Sequence, residues 1–161
     1  MYEISTDAAR LDLDVIHGFL SRDSYWAQGM PRDLLARALA HSLCFGVYGE
    51  DGALAGFARI VSDRATFAYL ADVFILPAHR GRGLSKRLME AVTAHPELQG
   101  LRRWMLATAD AHGLYRQFGF TPLARPERFM ERAGRDLLRP RAQPPLRLAL
   151  DRASVARAAR W

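Results

Sequence analysis

The sequence predicts one domain of the α/β class, and three observations lead to that prediction. The chain has 161 residues, of which 50% are hydrophobic, enough for a single domain with a buried core. Two apolar stretches, 67–76 and 103–108, flank a segment from Leu84 to about Ala94 whose apolar side chains recur at helical spacing. Upstream, two further apolar stretches flank the turn sequence at 49–52, as in a β-hairpin. Strands and helices therefore alternate along one chain.

The elements follow in order from local signals. Residues 2–6 predict a first strand, and the apolar spacing over 11–20 predicts a helix that begins near Thr6 or Asp7. This pattern breaks over 24–30, and Pro31 then favours a second helix over 32–41, because proline suits the first turn of a helix. The remaining predicted elements are hairpin strands 43–48 and 53–62, strand 67–76, helix 84–94, strand 103–108, a short helix around Tyr115, and an irregular edge segment containing Pro122, Pro126 and Phe129–Met130.

A glycine-rich segment, Arg80–Ser85, lies where the strand 67–76 meets the following helix. Backbone N–H groups at a helix N-terminus have no intrahelical partner, and the helix dipole is positive there, so such a junction favours phosphate. Glycine allows a positive φ and a close backbone approach. Arg80 and Arg82 carry guanidinium groups that can meet phosphate oxygens in bidentate fashion. The segment therefore predicts a phosphate-binding loop.

The residue spacing within this loop narrows the class of phosphate ligand that it could bind. Lys86 stands where a dinucleotide-binding turn has its third glycine, and the Gly-Lys-Ser/Thr ending of a P-loop is absent. The loop instead matches Arg-x-x-Gly-x-Gly/Ala, with Ser85 in the last position. This pattern resembles the pyrophosphate-binding motif of the GNAT superfamily, the acetyl-CoA-dependent N-acetyltransferases.

A second motif lies downstream and strengthens the resemblance. In GNAT enzymes it reads Ala-x-x-Leu-Tyr-x-x-x-Gly-Phe, and the matching residues here are Ala111, Leu114, Tyr115, Gly119 and Phe120. The resemblance covers about residues 1–130 and implies a GNAT domain over 1–133. It also implies a last strand soon after the Gly-Phe motif, and only residues 129–132 could supply that strand. It further implies a mixed, mostly antiparallel central sheet that is flanked by helices and splayed near the acetyl-CoA site.

The resemblance also implies a cofactor site for acetyl-CoA, the acetyl donor. Its pyrophosphate is expected on the backbone of the loop, and its pantetheine arm along the strand end Phe74–Ile75. From its position, Phe74 is expected to supply the backbone N–H that polarises the thioester carbonyl. The implied cofactor-binding residues are Phe74, Ile75, Arg80, Gly81, Arg82, Gly83, Leu84, Ser85 and Tyr115.

Two side chains are the main candidates for proton transfer. Tyr115 is expected to act as general acid toward the departing thiolate, the alternative being a tyrosine that packs on the sheet. Asp72 interrupts an apolar run, so an unpaired carboxylate there would be costly, and it is expected either to act as general base through water or to pair with Arg59. Weaker candidates for the base are Tyr69, Glu90 and Asp110.

The resemblance implies an acceptor site formed by the first two helices, their connection and the neighbouring strands. Within that connection, Tyr25 and Trp26 either line a pocket or cover the core. The resemblance implies direct attack by a primary amine in a ternary complex, and a small amine or an amino-acid-like molecule is expected. The five histidines show no metal-ligand spacing, so no metal is expected. Cys44, the single cysteine, is expected to be a small core side chain.

A second hypothesis is a GNAT-fold protein that binds acyl-CoA or regulates with little turnover, docking acidic partners through its arginines. The unpaired cysteine and the N-terminal sequence, which lacks a basic-then-apolar leader, predict a cytoplasmic location. Neither a membrane nor a nucleic acid is expected as a partner, and a homodimer is left open.

The C-terminal residues differ in composition from the rest. Residues 131–161 hold eight arginines against three acidic residues, a net charge of +5, while the whole chain carries +6. A basic tail rich in Arg and Pro is predicted over 134–161, as a linker or as a partly helical segment. The net charge therefore says little about the domain itself.

Deleting residues 135–161 is expected to leave acetyl-CoA binding unchanged, because the cofactor motifs all lie upstream. Titration calorimetry on the full chain and the truncated chain checks this. Loss of binding on truncation would show that the tail belongs to the binding domain.

Overall fold

The computed structural model of the chain describes residues 1–132 and residue 134. Apart from residue 134, the predicted tail lies outside the described residues, as does the predicted domain end at residue 133. No helix within the described part is both long and apolar enough to span a bilayer.

Five strands form one sheet in the order β1-β2-β3-β4-β5. Neighbours from β1 to β4 are antiparallel, and β5 is parallel to β4. The mixed, mostly antiparallel sheet is thus confirmed. Its strands are β1 Glu3–Ser5, β2 Leu43–Tyr48, β3 Leu54–Ser62, β4 Phe67–Ile75 and β5 Arg103–Leu106.

In the part of the chain that the structure describes, four α-helices accompany the sheet, namely α1 Leu13–Gly18, α2 Arg32–Ala40, α3 Leu84–Thr93 and α4 His112–Arg116. The single helix predicted over 11–20 is wrong in outline, because a 3₁₀ turn precedes α1 and a π-helical turn, Phe19–Asp23, follows it. Asp12 caps α1 by accepting the Val15 N–H at 3.0 Å, whereas Asp7 caps only the 3₁₀ turn. The capping residue thus lies within the predicted helix.

The two faces of the sheet bury separate apolar clusters. Along β2, Cys44 and Tyr48 pack with the cluster of α1 and α2, while Phe45 and Val47 pack with the cluster of α3. This alternation is the two-residue period of a strand buried on both faces. Helices on both sides therefore cover the sheet, as the sequence predicted.

A β-bulge interrupts β4 in its second half. Arg59 on β3 is opposite Ala71 and Phe57 is opposite Phe74, so Asp72 and Val73 together face one residue of β3. Asp72 has φ = 51°, a left-handed conformation that costs energy for a side chain with a Cβ. The extra residue reverses the faces beyond it.

The edge of β4 opens on the side of β5. Pairing between them runs only from Phe67 opposite Arg103 to Leu70 opposite Leu106, where β5 ends, while β4 continues to Ile75. The second half of β4 therefore lacks a partner from β5, which is the predicted splay. A sheet edge of this kind exposes unpaired N–H and C=O groups.

The segment after α4 differs from one expectation. Residues 129–132 were the candidate for a last strand, but they contain no strand, and a 3₁₀ turn occupies Pro126–Arg128 just before them. Within the described residues, β5 is the last strand. Proline at 126 supplies no backbone N–H for a sheet ladder.

Asp63 orders the turn between β3 and β4, and we expect Asp63→Asn to lower the urea midpoint at pH 7. Its carboxylate accepts the Thr66 hydroxyl and the N–H groups of Thr66, Ala65 and Phe67. These hydrogen bonds hold the pKa of Asp63 well below its usual value. Because the pKa of Asp63 is lower in the folded state, its contribution to the free energy of unfolding is present above the unfolded pKa of about 4. This contribution is lost as pH falls.

Urea titrations of both proteins between pH 2 and pH 7 measure this effect. The difference between midpoints should narrow as the solution becomes acidic. Asp23→Asn, at an exposed position elsewhere, provides the control and should show a smaller change. A difference that stays constant with pH would contradict the assigned role.

Candidate functional site

A cavity of about 610 Å³ lies between the α1–α2 connection, the bulged half of β4 and the segment that follows β5. This volume falls in the range of small-molecule sites. The residues that line the cavity are Tyr25, Trp26, Ala27, Met30, Arg59, Tyr69, Leu70, Ala71, Asp72, Val73, Ala107, Thr108, Ala109, Asp110, Ala111 and Tyr115.

Tyr115 belongs to α4 and directs its side chain into this cavity, with 8% of the residue exposed. Its ring packs edge-on against Phe120 with 6.0 Å between centroids. Burial, together with the nearby Tyr25 and Asp110, raises the pKa of Tyr115 to about 12. The phenol therefore keeps its proton at any physiological pH and can donate a hydrogen bond into the cavity.

Asp72 uses both of its carboxylate oxygens in contacts with other side chains. Its Oδ2 accepts the Arg59 Nε–H at 2.6 Å, and its Oδ1 accepts the Trp26 indole N–H at 3.0 Å. The side chain of Asp72 is 6% exposed and that of Arg59 is 17% exposed. Of the two roles expected for Asp72, the ion pair with Arg59 is present, and the role as general base stays a prediction.

The π-helical turn and Ser24 set the direction of the α1–α2 connection. Buried Ser24 donates its hydroxyl to the Leu20 carbonyl at 2.6 Å and accepts the Ala27 N–H at 3.1 Å. Such π-turns are frequent at functional sites. The two intervening aromatic residues, Tyr25 and Trp26, are thereby directed to the cavity instead of the core.

Tyr25 and Trp26 link three segments around the cavity. Their rings are edge-to-face at 5.0 Å, and Trp26 contacts the β4 bulge through its bond to Asp72. The Tyr25 hydroxyl accepts the Ala109 N–H at 3.0 Å and donates to Asp110 Oδ1 at 3.4 Å. Of the two expected roles, lining a pocket is the one that the geometry supports.

The predicted phosphate loop joins the end of β4 to α3. Gly81 and Gly83 have φ of 74° and 71°, and a Cβ at either position would meet no atom within 4 Å. The backbone conformation, not lack of space, thus requires glycine. Gly83 caps α3 without a side-chain hydrogen bond, so the first N–H groups of this ten-residue helix, including those of Leu84 and Ser85, have no side-chain cap.

The two loop arginines have different positions. Arg80 donates its Nε–H to the Ile75 carbonyl at 3.0 Å, which fixes its guanidinium beside the end of β4. Arg82 is exposed. Within the described residues neither forms an ion pair with a carboxylate, so both charges can meet an anion.

The backbone of Phe74 faces β3. Leu76 donates its N–H to the Ala55 carbonyl on β3 at 2.9 Å, and alternate residues of a strand direct their N–H groups to the same side. The N–H of Phe74 is therefore directed toward β3. Its side chain is buried against Phe19, with the rings stacked at 4.1 Å.

The backbone groups of the two residues beside Phe74, Val73 and Ile75, face the open edge of β4 instead. The backbone N–H and carbonyl of Ile75 point away from β3, consistent with the contact between this carbonyl and Arg80. Val73 lines the cavity and precedes Phe74, so alternation places its N–H on the open side as well. The geometry thus favours Val73 and Ile75 over Phe74 for contact with a ligand.

The remaining candidate residues differ in whether they lie at the cavity. Tyr69 and Asp110 line the cavity, whereas Glu90 lies on the exposed face of α3. Cys44 is buried in the core, and burial raises the pKa of its thiol to about 11, so it is no nucleophile near neutral pH. Among residues 1–132 and 134, no three His, Cys, Asp or Glu side chains come together as metal ligands would.

Sequence reasoning missed the contacts between Tyr2 and the residues on either side of the phosphate loop. The Tyr2 hydroxyl is 2.8 Å from His79 Nδ1, and the two rings are edge-to-face at 5.7 Å. Arg87 of α3 also donates to the Tyr2 carbonyl at 2.9 Å. No sequence pattern signals these contacts, because the partners are 77 and 85 positions apart.

Comparisons with known proteins agree with this geometry. The family model for the Acetyltransferase (GNAT) family matches residues 10–120. A Gibberella zeae protein assigned as an acetyltransferase is 37% identical over 135 residues, which cover 71% of this chain and 75% of that protein. The crystal structure of a Xanthomonas campestris pv. campestris protein, assigned as an acetyltransferase of the GNAT family, is 56% identical with a TM-score of 0.83, covering 86% of this chain and 96% of that one.

A more distant structure shares the fold alone. It is that of a Clostridium acetobutylicum protein assigned as an acetyltransferase and determined with acetyl-CoA. The two chains are 13% identical with a TM-score of 0.59, and the match covers 83% of this chain and 95% of the Clostridium chain.

A double-mutant cycle tests whether Arg59 and Asp72 act as a buried pair. Arg59→Gln and Asp72→Asn should each destabilise the fold by about 3 kcal/mol, because each leaves a partly buried charge without its partner. The double variant should cost clearly less than the sum, with a coupling energy above about 1 kcal/mol. Urea unfolding measures all four proteins.

The exposed ion pair between Arg32 and Asp14 offers a matched control, since its side chains are 56% and 80% exposed. Its coupling should stay below about 1 kcal/mol. Equal coupling at both sites, or additive effects at Arg59 and Asp72, would refute the buried pair.

Proposed function

Because the chain belongs to the GNAT acetyltransferase family, we propose that it transfers the acetyl group of acetyl-CoA to the amine of a small molecule. One observation carries this proposal: Tyr115 and the open edge of β4 line the same cavity, and a loop suited to phosphate follows β4 directly. In the proposed reaction the amine nitrogen attacks the thioester carbon within a ternary complex. A C–N bond forms, the C–S bond breaks, and coenzyme A leaves as the thiol.

The cofactor would lie along the open edge and the loop. The N–H groups of Gly81 to Ser85 and the guanidinium groups of Arg80 and Arg82 would receive the pyrophosphate. The pantetheine arm would pair with the exposed backbone of Val73 and Ile75, much as an added strand pairs with a sheet edge. The structure of the Clostridium protein, which shares this fold and was determined with acetyl-CoA, supports this choice of cofactor.

We assign the polarisation of the thioester to Val73 instead of Phe74. As the tetrahedral intermediate forms, negative charge develops on the former carbonyl oxygen. A preorganised N–H aimed at that oxygen contributes roughly 3–4 kcal/mol to catalysis. Phe74 directs its N–H toward β3, whereas Val73 adjoins the cavity, so the latter is the better-placed donor.

Tyr115 would act on the leaving sulfur. Its pKa of about 12 lies above the value near 8.5 of an ordinary thiol, so complete proton transfer to the thiolate is unfavourable. The phenol would instead donate a hydrogen bond that stabilises the thiolate as charge develops. The proton that finally neutralises sulfur would come from the attacking nitrogen, which must lose it on becoming an amide.

The test begins with acetyl-CoA alone and continues with amines. Acetyl-CoA should raise the melting temperature, and free thiol should then be released with at least one member of an amine panel. Absence of stabilisation would refute the proposed function. Stabilisation without thiol release from any amine would favour a binding or regulatory role.

Replacing Tyr115 with Phe should lower kcat by about 100-fold, because the variant cannot hydrogen-bond the departing thiolate. The KM for acetyl-CoA should change little, and wild-type kcat/KM should rise with pH to pH 10 without a decline caused by Tyr115, since its pKa is about 12. Tyr48→Phe removes a buried phenol outside the cavity and serves as the matched control. Full turnover in Tyr115→Phe would remove Tyr115 from the mechanism.

A further inference from the structure

The charges that line the cavity do not balance. Within the described residues, three charged side chains contribute to its walls: Arg59, Asp72 and Asp110. Arg59 and Asp72 neutralise each other at 2.6 Å, and Arg59 also donates through Nη1 to the Ser42 hydroxyl at 3.3 Å. The cavity therefore carries the uncompensated charge of Asp110.

Asp110 is exposed and forms no ion pair within the described residues. Its one side-chain hydrogen bond there is the long contact from the Tyr25 hydroxyl at 3.4 Å. The carboxylate is thus free to bind a cation that reaches the mouth of the cavity. Its negative charge contrasts with the net charge of +6 of the chain.

Aromatic rings form much of the remaining wall, contributed by Tyr25, Trp26, Tyr69 and Tyr115. The faces of such rings attract ammonium groups through their quadrupoles. The other lining side chains include Ala27, Met30 and Ala107, which suit a hydrocarbon body. This composition favours an organic cation with an apolar remainder.

The same wall disfavours an anionic substituent. Arg59 is the one cationic side chain of the lining among the described residues, and it is committed to Asp72. A substrate carboxylate or phosphate in the cavity would meet no free positive charge and would face Asp110. An anion that loses water without gaining a partner is strongly disfavoured.

We propose that the acceptor is a cationic alkyl- or arylalkyl-amine without a carboxylate or phosphate, and that Asp110 recognises its ammonium group. This inference rests on the proposed acetyl transfer and narrows the expected acceptors by removing amino-acid-like molecules. Such an amine, with a pKa near 10.4, is mostly protonated in neutral solution. Asp110 attracts that form at the mouth, where exposure to solvent allows the proton to depart before the nitrogen attacks.

Matched pairs that differ only in the acidic group test the inference. Thiol release is measured for tryptamine against tryptophan, phenethylamine against phenylalanine, and ethanolamine against phosphoethanolamine. The unsubstituted amine of each pair should have a kcat/KM about 100-fold higher, since the like charge of Asp110 opposes the acid. Equal or better use of the amino acids would overturn the proposal.

Variants at Asp110 test its assigned role. Asp110→Asn should raise the KM for the amines about tenfold, leave kcat within about twofold, and reduce the preference over amino acids. Asp110→Glu retains the charge and should restore much of the preference. Glu127→Gln removes an exposed carboxylate outside the cavity and should change neither parameter. An unchanged KM in Asp110→Asn would refute recognition by this residue.

Binding measurements separate the failure of this inference from the failure of acetyl transfer. If no amine releases thiol, the proposed transfer fails, and calorimetry in the presence of coenzyme A then decides the present inference. Binding of tryptamine with little binding of tryptophan would support it. Equal binding of the two, or binding of neither, would contradict it.

Discussion

The ion pair between Arg59 and Asp72 is the interaction on which the site depends. It connects β3 to the bulge of β4 and holds Asp72 in a left-handed conformation that would otherwise be unfavourable. The same carboxylate binds the Trp26 indole, so the α1–α2 connection is fixed to the bulge as well. One buried charge pair therefore fixes both sides of the cavity. Removing either partner would leave a charge in a poorly hydrated place.

The bulge also decides which groups face the cavity. Before it, Leu70 packs in the cluster with α3, whereas Phe74, four residues later, packs in the cluster with α1 and α2. An even separation would keep both on one face in a regular strand, so the extra residue has reversed the alternation. Because β5 ends opposite Leu70, the reversed part of β4 is also the part with a free edge. The reversed side-chain alternation and the free edge of β4 together place Val73 beside the cavity.

Local sequence signals predicted much of this architecture. The β2 strand was predicted over 43–48 and is observed over the same residues, and the phosphate loop was recognised from its glycine spacing. The helix over 11–20 was predicted as one unit because its apolar pattern extends beyond α1 into the first residues of the π-turn. A last strand at 129–132 was expected from the family pattern, and no strand forms there. Tyr115 and Asp72, the two candidates for proton transfer, line one cavity, and Arg59 is the partner of Asp72 that the sequence suggested.

By itself, the sequence determined the family, the order of strands and helices, and the position of the glycine-rich loop between β4 and α3, because motifs and periodicity are properties of neighbouring residues. Tertiary structure decided which groups meet. Trp26 and Asp72 are 46 positions apart, and Tyr25 and Asp110 are 85 apart. A one-residue change of register in β4 would alter every N–H that faces the open edge. The pairing of Asp72, the proposed donor at Val73 and the charge of Asp110, which is unpaired among the described residues, depend on the packing of the sheet and have no signature within a single segment.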